Sequence, residues 1–452
     1  NGDLSLTTGL TVGAGSAAYN VAINGGSNSI AGTTTFSNTG TLSLGASGGT
    51  LAFTGGITAT APSTVTVNGT LTAAGSAVIS LGTVSVASNS TIGGTSTGQI
   101  TLGATTLVDG VTLTLGTGIA NAISLSSVSG TASGSASNIT INTTGAVTAS
   151  GAIGTDIGTL TITNSGGTTF SGAVSAATVV ITSTTATNAV TFNGDLSLTT
   201  GLTVGAGSAA YNVAINGGTN SIAGTTTFAN TGTVTLGNGG DTTAFTGGVV
   251  VTAPSSVTVN GTVSAAGTGV ITLGDSGTGV SVTGDSTVGG TSTGQITFGA
   301  ITISDGKTLT VGAGASTPIS MTTVSGVASG SASNLTINTA GALAVSGAIG
   351  TDIGTLTITN SGGTTFSGAV SATTVTLTNT TGTIAFNGAL TATTLSTAAQ
   401  AYNVGLNATT GTITNAVTFS NTGTLALGAT GGTLAFTGGI TATAPSTTVN
   451  GT

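Results

Sequence analysis

The segment Ser150–Val174, SGAIGTDIGTLTITNSGGTTFSGAV, returns unchanged as Ser346–Val370. Asn1–Gly40 returns as Asn193–Gly232, altered only at Ser27 (Thr219) and Ser37 (Ala229). A third copy starts at Asn387, and its Thr418–Pro445 closely follows Thr35–Pro62. The offset is 192 residues early in the unit and 196 after a four-residue insertion near Asp275–Thr278. Near-identity over such lengths reads as recent duplication. It restricts the chain to architectures that tolerate copying end to end. The chain divides into a first long repeat at 1–192, a second at 193–386 and a partial third at 387–452, expected to form one continuous rod. It starts without Met and stops inside a repeat, so it reads as a portion of something longer.

A 192-residue unit is too long for one coil, so a shorter period is sought inside it. The phrase x-Leu/Ile-x-Leu-Gly occurs at Thr41–Gly45, Val78–Gly82, Gln99–Gly103 and Thr112–Gly116. The first three are 37 and 21 residues apart. Phe36 and Phe53 lie 17 apart, and Phe170 and Phe192 lie 22 apart. Coils of about 17–22 residues fit these intervals, with 37 read as two coils and roughly two dozen coils in the chain.

Within a coil, Thr alternates with Val or Leu, as in Thr64-Val65-Thr66-Val67-Asn68-Gly69-Thr70-Leu71-Thr72. Period two is the strand signature, and Asn-Gly suits a tight turn. The turn would close a hairpin in a β-meander or round a corner in a β-solenoid. Strands of three to five residues make marginal hairpins, whereas stacked coils pair each strand above and below. The corner reading is preferred. Pro62, Pro254 and Pro445 recur in Thr-Ala-Pro-Ser and also read as corners.

Composition bears on this choice. Charged residues are 2% of the chain, with one Lys (Lys307), nine Asp and no Arg, His or Glu. Such poverty of charge and 79 Gly suit either a disordered linker or a β-rich repeat. Hydrophobic residues at 38% and a mean hydropathy of +0.51 argue against disorder. Stacking explains the missing charges: coils about 4.8 Å apart would bring like charges into destabilising columns. Thr, Ser and Asn stack without that repulsion. The net charge of −8 offers no basic surface for nucleic acid or anionic membrane. Membrane insertion is not expected: no run of 18 apolar residues occurs. A membrane barrel would need longer strands and aromatic girdles.

Short Gly/Thr/Asn-rich strands such as Thr83–Val86, Gly158–Asn164 and Val190–Leu198, with this spacing and these long units, resemble the repeat regions of filamentous-haemagglutinin-like exoproteins and related large bacterial adhesins. The resemblance covers the whole chain. It implies a right-handed parallel β-helix, a bacterial surface or secreted location, and an adhesive or scaffold role. The secretion-signalling domain of that group is not present in this sequence.

Catalysis is tested by subtraction. Without His, Cys, Glu or Arg, Ser-His-Asp and Cys-His arrangements and the usual zinc sites are impossible. No catalytic, cofactor-binding or metal residue is assigned, no cofactor is expected, and the chain is read as not an enzyme. Asp3, Asp109, Asp156, Asp195, Asp241, Asp275, Asp285, Asp305 and Asp352 mostly flank Gly and read as turn residues. Gly-Asp-Ser-Gly-Thr-Gly at 274–279 approaches a calcium-binding repeat but does not iterate. Gly13-Ala14-Gly15 lacks the helix of a nucleotide cradle. Tyr19, Tyr211 and Tyr402, equivalent in Ala-Tyr-Asn-Val, read as packing. Asn68-Gly-Thr and Asn138-Ile-Thr match glycan acceptor sequons, frequent by chance in such a chain.

The expectation is therefore a structural or adhesive surface solenoid, all-β, that associates with itself into a fibre, sheath or layer. A cell-surface or polysaccharide partner fits the same reading. Two alternatives remain. A solenoid carbohydrate-active enzyme would need clustered carboxylates. An ice-binding solenoid is suggested by Thr-x-Thr pairs such as Thr64/Thr66, Thr112/Thr114 and Thr161/Thr163. That function needs a regular threonine array, which a drifting coil length would disturb.

Overall fold

A computed structural model describes residues 2–185 and 187–452, and among them there is no helix. Short strands follow one another and pair in parallel with strands roughly one coil away, which makes a β-solenoid of about 20 turns. The chain packs as two compact units. One runs to Ile222 and includes Asn230–Gly232; the other comprises Ala223–Ala229 and Thr233–Thr452.

In the first unit each coil contributes three strands to three ladders. Thr34–Phe36, Ile57–Ala59, Ile79–Leu81 and Ile100–Leu102 succeed one another in the first ladder. Thr41–Leu44, Thr64–Val67, Val84–Val86 and Thr105–Leu107 form the second. Thr50–Phe53, Thr70–Ala73, Ser90–Gly94 and Thr112–Leu115 form the third. Thr64–Val67 and Thr70–Ala73 thus belong to different ladders, and Asn68-Gly69 is a corner. Gly69 has φ +80°, and a Cβ on it would lie 2.4 Å from the Gly49 carbonyl oxygen, so only glycine fits.

Coil length varies, but the ladders hold register. Val65 pairs with Val84, 19 residues on, and Leu113 with Ile139, 26 on. Most advances lie near 22, the upper end of the spacing read from sequence. The 37-residue interval from Thr41 to Val78 is not two coils, because Thr41–Leu44 and Ile79–Leu81 lie in different ladders. Phe36 and Phe53 are likewise in the first and third ladders. Phe170 and Phe192 are direct partners one coil apart.

The second unit repeats the plan. Its first ladder is an 11-stranded sheet from Thr226–Thr227 to Ser446–Val449. Its second and third ladders are joined in places by a strand that runs through the corner, as in Ser256–Ala265 and Val370–Thr380. The insertion at Asp275–Thr278 shows where extra chain goes. Ile271 pairs with Ile296, 25 residues on, whereas the equivalent Ile79 pairs with Ile100, 21 on. Both partners remain isoleucines; the four residues are taken up at a corner.

Alternation decides what is inside. Thr64–Val67 and Thr70–Ala73 bury every second residue, as does the whole of Ser256–Ala265. Val, Leu, Ile and Phe fill the interior, each contributing roughly 1.5–3 kcal/mol by burial. Threonine and serine take the outward positions, where β-branched or small side chains suit a pleated surface.

Candidate functional surface

The outward residues of each ladder form columns along the stacking direction. In the first unit Thr35, Thr58, Ser80, Thr101, Ser124 and Thr148 are successive partners in the first ladder. The third ladder has Thr50, Thr70, Thr91, Thr114, Thr140 and Thr161, followed by Val180. In the second unit the third ladder gives Thr262, Thr287, Thr310, Thr336, Thr357 and Thr376 without a break. Here the strands are long enough to present a second column two residues away, through Asn334, Thr355, Thr374 and Thr394. The hydroxyls of Thr355, Thr357, Thr374 and Thr376 make no side-chain hydrogen bond among the described residues. They face solvent over a core of Leu356, Ile358, Val375 and Leu377, all buried.

A second set of hydroxyls points inward at the corners. Thr143 Oγ1 donates to the carbonyls of Ile119 (2.8 Å) and Asn121 (2.6 Å) in the coil before, and accepts from Gly145 N (2.9 Å). Ser96 donates to Ala77 O at 2.6 Å and accepts from Gly98 N at 2.8 Å. Ser292 and Thr339 do the same in the second unit, with Gly294 and Gly341. This buried column ties each coil's corner to the one before. Its signature is Ser/Thr-x-Gly, a local turn in which the hydroxyl caps a backbone N–H. Ser96 and Thr143, like Ser292 and Thr339, are 47 residues apart, about two coils, and Asn121 and Thr317 take the same corner in the coil between.

The aspartates lie outside the strands except Asp241, which falls inside Thr233–Phe245. Asp3 Oδ1 accepts from Ser27 N and Asp195 Oδ1 from Thr219 N, both at 2.9 Å. Asp285 Oδ1 accepts from Thr308 N at 2.9 Å. Asp275 Oδ1 accepts from Gly277 N and Thr278 N within its own insertion. Thr278 is buried and donates to the carbonyls of Thr252 and Pro254, so the insertion closes over the proline corner. Among the described residues no three carboxylates or other metal ligands come together. Asp156 and Asp352 differ from the rest. Each follows a threonine, and both members of the Thr155–Asp156 and Thr351–Asp352 pairs have φ between +50° and +58°. One carboxylate oxygen of each is buried without a hydrogen-bond partner. Asp352 borders a groove of about 300 Å³ whose lining is mostly hydroxyl and alanine side chains, including Ser371, Thr391 and Thr414, with Ile353 beside them. One carboxylate without a partnering acid, base or nucleophile-activating group supplies no general acid–base pair.

Tyr211 and Tyr402 are buried, and their hydroxyls donate to Gly205 O (2.5 Å) and Leu377 O (3.1 Å). Burial pushes both phenols above their ordinary pKa. Tyr19 is 38% exposed. Gly15 and Gly207, at φ +71° and +70°, leave room for the rings of Tyr19 and Tyr211, where a Cβ would come within 2.7 Å. The Gly13-Ala14-Gly15 turn therefore seats a tyrosine ring. Of the two sequons, Asn138 is occupied: its Oδ1 accepts from Thr159 N at 2.9 Å.

No protein-family model, no curated protein and no solved structure matches this chain.

Proposed function

We propose that the chain is a structural, adhesive component of a bacterial surface, in which stiff β-solenoid coils present neutral hydroxyl faces to neighbouring copies or to a cell-surface polysaccharide. The observation that carries this reading is the unbroken stacking of outward Thr and Ser over a packed aliphatic interior. Contacts are local, so length is added coil by coil. Neutral faces without a repelling charge favour lateral packing of copies. The inventory of side chains supports a role without catalysis, because it lacks His, Cys, Glu and Arg and has a single Lys.

Electron microscopy of the native material tests the proposal. Fibres, a sheath or a continuous layer at the cell surface are expected. Short, monodisperse monomers at all concentrations would overturn self-association, and an intracellular location would overturn the surface role.

A further inference from the structure

A regular threonine array was expected to fail here, because the coil length drifts. The drift is real, but it falls at the corners. The insertion at Asp275–Thr278 lengthens its coil by four residues, and Val257 still pairs with Val280 as Val65 pairs with Val84. The third ladder of the second unit accordingly keeps a two-column array through coils of unequal length. Thr355 and Thr357 pair with Thr374 and Thr376, which pair with Thr394 and Ser396. Neighbours stand roughly 4.8 Å apart from rung to rung and roughly 6.6 Å apart along a strand.

We propose that this face, centred on Thr355, Thr357, Thr374, Thr376, Thr394 and Ser396, binds the surface of crystalline water. The inference rests on the solenoid and its register, not on the adhesive role. Three properties select the partner. The six side chains carry no charge, so an ionic surface gains nothing there. Each threonine offers one methyl and one hydroxyl at fixed spacing, and the hydroxyls of Thr355, Thr357, Thr374 and Thr376 are uncommitted among the described residues. Such a grid can order a layer of water that continues into a lattice, because bridging waters are nearly as favourable enthalpically as direct bonds. The face also lacks the aromatic platforms common in ligand and sugar sites. The phenylalanines nearest this region, Phe366 and Phe386, are buried. A polysaccharide would therefore find hydroxyls but no stacking surface. The buried side chains beneath hold the grid in place, so binding orders little that is not already ordered.

The equivalent face of the first unit is less complete. Val180 and Gly201 stand where the second unit has Thr376 and Thr394 in the alternating pattern. The array at 355–396 is expected to be the stronger of the two.

The test uses the full 452-residue chain in dilute buffer. A gap between melting and freezing points, and inhibition of ice recrystallisation, are expected for the unmodified protein. Thr357→Tyr with Thr376→Tyr is expected to abolish both effects, and Thr357→Val with Thr376→Val to weaken them without disturbing the β-branched surface. Thr297→Tyr, on the first ladder, is expected to leave both effects unchanged. Far-UV circular dichroism and melting confirm folding of each variant. Coincident melting and freezing points with no recrystallisation inhibition in the unmodified protein would overturn the proposal. So would full activity in the tyrosine double variant, or binding to crystalline cellulose or chitin in place of ice. None of these outcomes depends on whether copies assemble into fibres.

Discussion

Phe170 and Phe192, one coil apart, stack with ring centroids 5.0 Å apart and planes 9° from parallel. Phe366 and Phe386 repeat the arrangement at 4.8 Å and 15°. Each ring is fully buried in a narrow interior, so its neighbours cannot collapse far into a void. Phe192→Ala is expected to cost about 3–5 kcal/mol. Because stability sums over neighbouring coils, the loss should be local. Hydrogen exchange is expected to rise in the coils around 168–215 and to stay unchanged near the carboxyl end; a uniform rise would contradict the local account.

Thr339 Oγ1 donates to the Ala315 and Thr317 carbonyls and accepts from Gly341 N. Thr339→Val keeps the shape and removes all three bonds. The Ala315 carbonyl still accepts from Ala340 N, so the loss falls on the Thr317 carbonyl and Gly341 N and should cost on the order of 1–3 kcal/mol. Urea denaturation followed by circular dichroism checks it, and an unchanged midpoint would mean that the corner hydroxyls are dispensable.

Thr155 and Thr351 are exposed, and both occupy left-handed backbone conformations that penalise a β-branched residue. Relief of that strain, set against glycine's larger loss of chain entropy, leaves a net gain of about 0.5–1 kcal/mol for Thr155→Gly. A raised melting temperature is the expected outcome. A fall would show that the threonine side chain holds the corner through contacts that outweigh its strain.

With no His and no Cys, stability should be flat from about pH 6 to 9. The buried phenol of Tyr211 sets the alkaline limit, because its pKa lies above the ordinary value when folded. Below about pH 10 the phenol is neutral in both the folded and unfolded chain and adds no pH dependence. Above that, the unfolded chain ionises first, and stability falls with rising pH. Melting temperatures measured across this range should decline less steeply in Tyr211→Phe than in the unmodified protein.

The parallel stack and its corners were legible because they rest on local rules. Alternation in Thr64–Val67 names the inward side chains, and Gly69 marks a place where the backbone needs a positive φ. Coil length was harder. The phrase x-Leu/Ile-x-Leu-Gly occurs on all three ladders, because any outward–inward strand ending at a corner produces it. Intervals between its copies therefore mix whole coils with parts of coils. The Ser/Thr-x-Gly turns of Ser96 and Thr143, and of Ser292 and Thr339, occupy one corner but stand 47 residues apart, about two coils, because Asn121 and Thr317 hold that corner in the coil between. Sequence spacing hides the hydroxyl array for a related reason. Sequence spacing counts loop residues and strand residues alike, whereas register depends on the strands. The left-handed Thr155–Asp156 pair had no sequence signal, since neither residue type ordinarily adopts that conformation in succession.

The corner that absorbed Asp275–Thr278 separates two kinds of inheritance. Copying a long block multiplies coils that already fit one another, while small gains and losses of chain are confined to edges that the ladders do not read. A lineage can thus lengthen such a protein and vary its outline independently, and the columns along its sides pass through both kinds of change intact.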